Sequence, residues 1–193
     1  MGTEPRLAPV GNGGDARQSR ALKPWGGERA ANVFATMVRH VDLFEVWSPF
    51  AHKLLLESAF SDRHREIVIL RVSWRTASTY EWGHHVRIAR RSGLSDAEIE
   101  SLAAPDPGLA TPIERALVAA TDELLDSDEV SDATWGELEG EFSSEQLVEL
   151  LFLVGGYRML AMALKTLRVS AERTLPPLGR SSVDDDDAGG GSR

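Results

Sequence analysis

Two glutamates and two adjacent histidines in one short stretch have the types and spacing for proton transfer. Residues 61–93, SDRHREIVILRVSWRTASTYEWGHHVRIARRSG, hold Glu66, Ser78, Tyr80, Glu81, His84 and His85 around the apolar run IVIL. Ser78, Glu81 and His85 are three and four residues apart, so a helix that starts early enough puts them on one face. A carboxylate four residues before an imidazole can hydrogen-bond it, orient the ring, fix its tautomer and raise its pKa. Such a pair suits general acid–base work. His85 is thus the candidate acid/base, Glu81 its orienting partner and Glu66 a second proton-relay group. Ser78, Tyr80, His84 and Arg71 are the candidate substrate contacts, with a structural salt bridge the competing role for Arg71. His84 lies about 100° around the helix from His85, so the two are not expected to share one small pocket. The structural alternative is that Glu81 and His85 form a buried ion pair with no chemistry, since such pairs perturb pKa values too.

Other chemistries are excluded or weakened. The chain has no cysteine, which removes disulfides, thiolate metal sites and thiol nucleophiles together. Glu81 and His84 have the Glu-x-x-His spacing of di-iron bundles, but those need two such motifs and two further glutamates. A second is missing, as is any His-Glu-x-x-His. Neither a metal nor another cofactor is expected; the minor alternative is a metal held by Glu81, His85 and either Glu66 or His64. No Gly-rich phosphate loop follows a strand, and no serine nucleophile elbow is present.

With 193 residues, 42% hydrophobic and 26% charged, the chain fits one globular domain with a real core. Its formal net charge of −9 argues against a nucleic-acid partner, because phosphate binding needs a basic surface. The N-terminus lacks the apolar segment of a secretory signal, and no apolar run is read as approaching the about 20 residues that span a membrane. A soluble cytoplasmic protein acting on a small molecule is the expectation.

The elements that position the candidate residues read as helices. Residues 1–27, rich in Gly, Arg and Pro, are expected to be a flexible arm with a local anchor at Trp25. The helical domain spans 28–172, and 173–193 is an acidic tail expected to be disordered. Apolar residues recur at three and four from Val33 to Leu54. Pro49 behind Ser48 predicts a bend or a new helix there. Ser95 with Glu98, Thr111 with Glu114 and Ser143 with Gln146 read as capping boxes, with Pro112 at a first helical position and Ser131 as a further cap. The run at 67–72 has the composition of a buried strand, but no partner strand is available, so it reads as a helix buried on most sides. Gly155 and Gly156, beside Tyr157, cost helix stability of about 1 kcal/mol each and predict close helix packing or a pocket. The fold class is all-α, a compact array of about seven to nine helices.

The segment REIVILRVSWRTASTYEWGHHVRIARRSGLSDAEI resembles the carboxymuconolactone decarboxylase and alkylhydroperoxidase D superfamily. Redox members carry Glu, eleven residues, Cys, two residues, Cys, three residues, His. Here that spacing falls on Glu66, Ser78, Glu81 and His85. The resemblance extends more loosely from about Ala31 to Val169 and implies an alkylhydroperoxidase D-like all-α fold and a homo-oligomer, trimer or hexamer. Both motif cysteines are replaced, so the family's thiol peroxidase cycle does not carry over. The remaining acid–base set resembles the cofactor-free decarboxylase branch. It implies lyase or isomerase chemistry, decarboxylation included, on a small carboxylated or lactone- or carbonyl-bearing metabolite. A non-catalytic scaffold or binding oligomer that has lost the cysteines is the alternative.

Overall fold

The run at 67–72 becomes the centre of the molecule because both of its sides find apolar partners. The computed structural model describes residues 4–172 together with 175, 176 and 178. In these residues nine α-helices and no strands are present. They are α1 (Ala16–Leu22), α2 (Asn32–Met37), α3 (Val41–Leu56), α4 (Asp62–Arg75), α5 (Thr79–Arg91), α6 (Asp96–Ser101), α7 (Pro112–Ser127), α8 (Asp132–Glu139) and α9 (Ser144–Leu167). Helix α4 packs against α5, α7 and α9. Val68, Ile69 and Val72 enter a core with Leu117, Leu150 and Leu153. Ile67 and Leu70 enter a second core with Trp82, Val86, Ile99 and Leu102. Burial on both sides explains why this helix lacks the polar stripe of a surface helix.

The start signals form as the sequence dictates. Capping boxes close at Ser95 with Glu98, at Thr111 with Glu114 and at Ser143 with Gln146. Ser131 accepts from the Thr134 backbone N–H. Each cap satisfies backbone donors that the first helical turn leaves open. Between α4 and α5 the chain turns in three residues, with Ala77 in the left-handed region at φ 52° and the Ser78 N–H bonded to the Ser73 carbonyl at 2.8 Å. That short connection sets how α5 lies on α4.

Three expectations are corrected. Helix α3 is one helix through Pro49, so the alternative of a new helix starting there does not hold. The Ser48 hydroxyl, expected as a cap, instead accepts the Trp25 indole N–H at 2.6 Å. One lost backbone bond is outweighed by the packing of Phe44 and Leu54 on either side. The arm expected over 1–27 carries α1 and short 3₁₀ turns at Gly11–Gly13 and Lys23–Trp25. Asp15 closes an unforeseen capping box with Gln18. Leu22 is fully buried with Val38 and Phe44, and Trp25 stacks on Phe34 at 3.9 Å between ring centroids. A few large apolar groups therefore anchor a segment whose average composition reads as unstructured. Helix α9, at 24 residues and with an 18-residue window of mean hydropathy 1.7, is long and apolar enough by length and composition to cross a membrane. It contacts α3, α4, α7 and α8 and supplies Leu150, Leu153 and Val154 to the core. The tail expected from residue 173 lies outside the described residues, apart from Leu175, Pro176 and Leu178.

Candidate active site

A cavity of about 210 Å³ opens between α2, α3, α5 and α9, and the N-terminal segment completes its wall. Trp25, Phe34, Trp47, Phe50 and Leu54 make one apolar side; Ile88, Leu160 and Leu164 contribute to the rest. Gly156 also lines it, with Leu54 and Phe50 so close that a Cβ there would meet them at 3.2 and 3.5 Å. The glycine thus allows the close approach of α3 to α9 that the sequence predicts. The polar lining is short: Tyr80, Glu81, His84, His85 and Tyr157.

Glu66 and His85 form the core of the site. The Glu66 carboxylate is fully buried on α4, and its Oε2 lies 2.7 Å from His85 Nδ1 on α5. Its other oxygen accepts from Arg65 Nε at 3.0 Å, and Arg65 also bonds Asp62. A carboxylate on Nδ1 orients the ring and favours the tautomer that leaves Nε2 for the cavity. The ring edge packs on Tyr157, with centroids 5.2 Å apart. Glu66 does not line the cavity; it acts behind His85.

Glu81 is not the orienting partner that spacing alone suggests. Both of its carboxyl oxygens are buried without a hydrogen bond. Position i, i+4 places the two side chains on one face, but the α4 carboxylate reaches the imidazole first. Burial pushes the Glu81 carboxyl up to about 8, opposed only weakly by the Ser78 hydroxyl, which makes no well-aligned bond to it. Glu81 is therefore a neutral acid at pH 7, set in the cavity wall with a proton to give. Burial, with the charges of Glu66 and Glu81 nearby, also holds the Tyr157 phenol well above its ordinary value.

The expected substrate contacts divide. Tyr80 and His84 line the cavity, but both are tied to the C-terminal segment. The Tyr80 hydroxyl donates to Glu172 at 2.8 Å and accepts from the Val33 N–H at 3.1 Å. His84 Nε2 lies 3.1 Å from the other Glu172 oxygen. Burial raises the Glu172 carboxyl, but hydrogen bonds from the Asn32 N–H and Tyr80 outweigh it and hold the group below its usual range. His84 and His85 do share one cavity, contrary to the angular argument, because the cavity wraps around α5 instead of meeting it at one point. Ser78 is buried behind the wall and does not line it. Arg71 is no substrate contact. It is buried among Asp122 and the carbonyls of Leu102, Ala104 and Pro105, with its guanidinium 4.5 Å from the Trp74 ring centre. All its donors are used in holding α4 to α7 and the loop after α6.

Two residues of the site, Tyr157 in the cavity wall and Glu172 behind it, lay outside the sequence motif. Tyr157 was legible only as the neighbour of the glycine pair, and Glu172 carried no signal, since its role depends on a contact with α5 far back in the chain. Trp25 was legible as an anchor but not as a cavity wall. Among the described residues no group of three His, Asp or Glu side chains is placed to hold a metal ion, and His64 lies apart, against Phe142.

Residues 42–123 match the model of the carboxymuconolactone decarboxylase family. No curated protein matches the sequence. The fold is similar to that of an uncharacterized peroxidase-related protein from Ralstonia eutropha with an alkylhydroperoxidase AhpD core (17% identity, TM-score 0.72, covering 86% of this chain and 93% of that one). It is also similar to an uncharacterized peroxidase-related protein from Silicibacter sp. (17% identity, TM-score 0.66, 79% and 81%). A third similar structure is the debrominase Bmp8 in complex with 2,3,4-tribromopyrrole (15% identity, TM-score 0.70, 86% and 91%). At these identities the likeness is one of fold.

Proposed function

Taking the chain as a cysteine-less member of the carboxymuconolactone decarboxylase family with an alkylhydroperoxidase D-like fold, we propose that it is a cofactor-independent acid–base enzyme. Its substrate is a small lactone- or carbonyl-bearing metabolite, and its reaction is of the lyase or isomerase type, with decarboxylation as one member. The observation that carries this reading is the pairing of Glu66 with His85 at 2.7 Å, beside an unpaired, protonated Glu81 on the same cavity.

In the proton-transfer form, His85 Nε2 takes a proton from the carbon next to the carbonyl. The C–H pair becomes a C=C bond, and the carbonyl π pair moves to oxygen. The Glu81 carboxyl donates to that developing oxyanion, a group that gains most from a donor in a dry site. Return of the proton from His85 to a second carbon completes an isomerisation; loss of a leaving group completes an elimination. In a decarboxylation the C–CO₂ bond breaks instead, the same oxygen takes the electrons, and imidazolium His85 protonates the carbon. Glu66 keeps the ring in place and stabilises its charged form throughout.

A second reading, a non-catalytic binding or scaffold oligomer, is favoured by the exposed apolar stripe of Val148, Phe152, Met159 and Met162 on α9. That stripe supports a homo-oligomer under either reading, in a cytoplasmic setting. The test is deuterium incorporation from D₂O into the carbon next to the carbonyl, followed by NMR, with 4-carboxymuconolactone and 2-coumaranone as probes and CO₂ release measured in parallel. Exchange or release above the buffer rate in wild type, lost in His85→Ala, is the expected result. Rates equal to buffer with every probe would move the protein to the scaffold reading.

A further inference from the structure

The cavity that holds Glu81 has a chemical character of its own. Among the described residues that line it, none is an arginine or lysine. The two buried arginines closest in sequence to the motif are occupied elsewhere, Arg65 by Glu66 and Asp62, Arg71 by Asp122 and backbone carbonyls. A ligand carboxylate seated here would lie beside one buried glutamate and in front of another, with no arginine or lysine to offset its desolvation and with the two cavity histidines already paired, His85 to Glu66 and His84 to Glu172. The site already resists that charge on its own side chain, since burial keeps Glu81 protonated to about pH 8. The remaining wall is aromatic and aliphatic. Trp25 has spent its indole N–H on Ser48, so it offers the ligand a ring surface rather than a donor. Phe34 and Trp47 extend that surface, with centroids 6.4 Å apart. An apolar cavity of about 150 Å³ accommodates benzene, so the volume here, about 210 Å³, suits one substituted or fused ring.

We propose that the substrate is an uncharged, flat, largely apolar ring compound whose carbonyl or lactone oxygen accepts a hydrogen bond from Glu81, and that ligands carrying a carboxylate are excluded. The inference rests on the acid–base reading above and narrows it. Decarboxylation drops out, and proton transfer next to a neutral carbonyl remains. The selectivity comes from the cavity wall, with Trp25, Phe34 and Trp47 stacking on the ring, and from the lack of any arginine, lysine or unpaired histidine to hold an anion.

The test is a binding measurement that needs no turnover. Trp25 and Trp47 line the cavity, so quenching of intrinsic tryptophan fluorescence reports occupancy. At pH 7, 2-coumaranone is compared with 5-carboxy-2-coumaranone on the wild-type protein. The expected result is saturable binding of the neutral lactone with Kd at least tenfold below that of the carboxylate. Equal or tighter binding of the carboxylate overturns the proposal, and so does the absence of saturable binding by both. Leu55→Lys places a cation at the half-buried rim, and circular dichroism checks that it folds; the ratio of the two Kd values is expected to shift toward the carboxylate. Selective binding without deuterium exchange would remove the acid–base reading and leave this specificity standing. Exchange or CO₂ release on a carboxylated lactone bound as tightly as the neutral one would do the reverse.

Discussion

Glu66 on α4 and His85 on α5 meet at 2.7 Å, although they are nineteen residues apart, while Glu81, four residues from His85, pairs with nothing. The orienting carboxylate and the acid have therefore exchanged the roles that local spacing assigns them. A buried, paired carboxylate fixes a base; a buried, unpaired one becomes an acid.

His85→Ala is expected to lower kcat by about 10²–10⁴-fold, the usual contribution of a positioned general acid or base. Glu66→Gln keeps a hydrogen-bond partner for the ring but removes the charge that supports its protonated form. Its loss should fall on kcat more than on KM. Steady-state kinetics separates the two variants by the size of the kcat loss.

Glu81 makes stability depend on pH in an unusual direction. Its carboxyl titrates near 8 when folded and near 4.5 when free. Below about 4.5 both states hold the proton and no cost arises. As pH rises from there to 8, the unfolded chain releases it first, and the native state loses stability, by at most about 5 kcal/mol once both have ionised. Glu81→Gln should flatten this slope, so that the variant gains on wild type between pH 5 and 8 in urea titrations. Activity should fall above pH 8 in wild type as the acid loses its proton.

Arg71→Met should destabilise without touching the site. It leaves Asp122 with Arg75 as its remaining cation, at 3.0 Å, and three carbonyls without their donor. A loss of about 1–3 kcal/mol is expected from leaving buried acceptors unpaired, with the Kd for 2-coumaranone unchanged in the folded variant. A weakened Kd at unchanged stability would restore the substrate-binding role.

Gly83→Ala probes the C-terminal segment. A Cβ there would meet the Leu175 Cβ at 2.4 Å, so that segment must shift, at a cost of about 1–3 kcal/mol. Glu172, which holds Tyr80 and His84 from the same segment, should loosen with it. Faster limited proteolysis after residue 168 and weaker ligand binding are the expected readouts.

The stripe on α9 makes a last prediction. Phe152→Glu with Met162→Lys should reduce the mass seen by light scattering to that of one chain, while the helical circular dichroism signal stays. An unchanged mass would place any assembly contact elsewhere.

The sequence by itself determined the all-α class and most helix starts. Capping and apolar periodicity are local properties, readable within one or two turns, and the boxes at Ser95, Thr111 and Ser143 closed for that reason. It also located the chemistry in one stretch, because Glu66, Glu81 and His85 are types that a core does not bury without partners or purpose. Only the tertiary structure decided which carboxylate serves the histidine. That depends on how α5 lies across α4, and spacing along one helix carries no information about a neighbour. The same holds for Arg71, whose partners come from two later segments, α7 and the loop after α6, and for the cavity wall. Trp25 and Glu172 come from opposite ends of the folded chain and meet the site only because Leu22 and Phe44 pull the N-terminal segment down and Glu172 hooks onto Asn32, Tyr80 and His84.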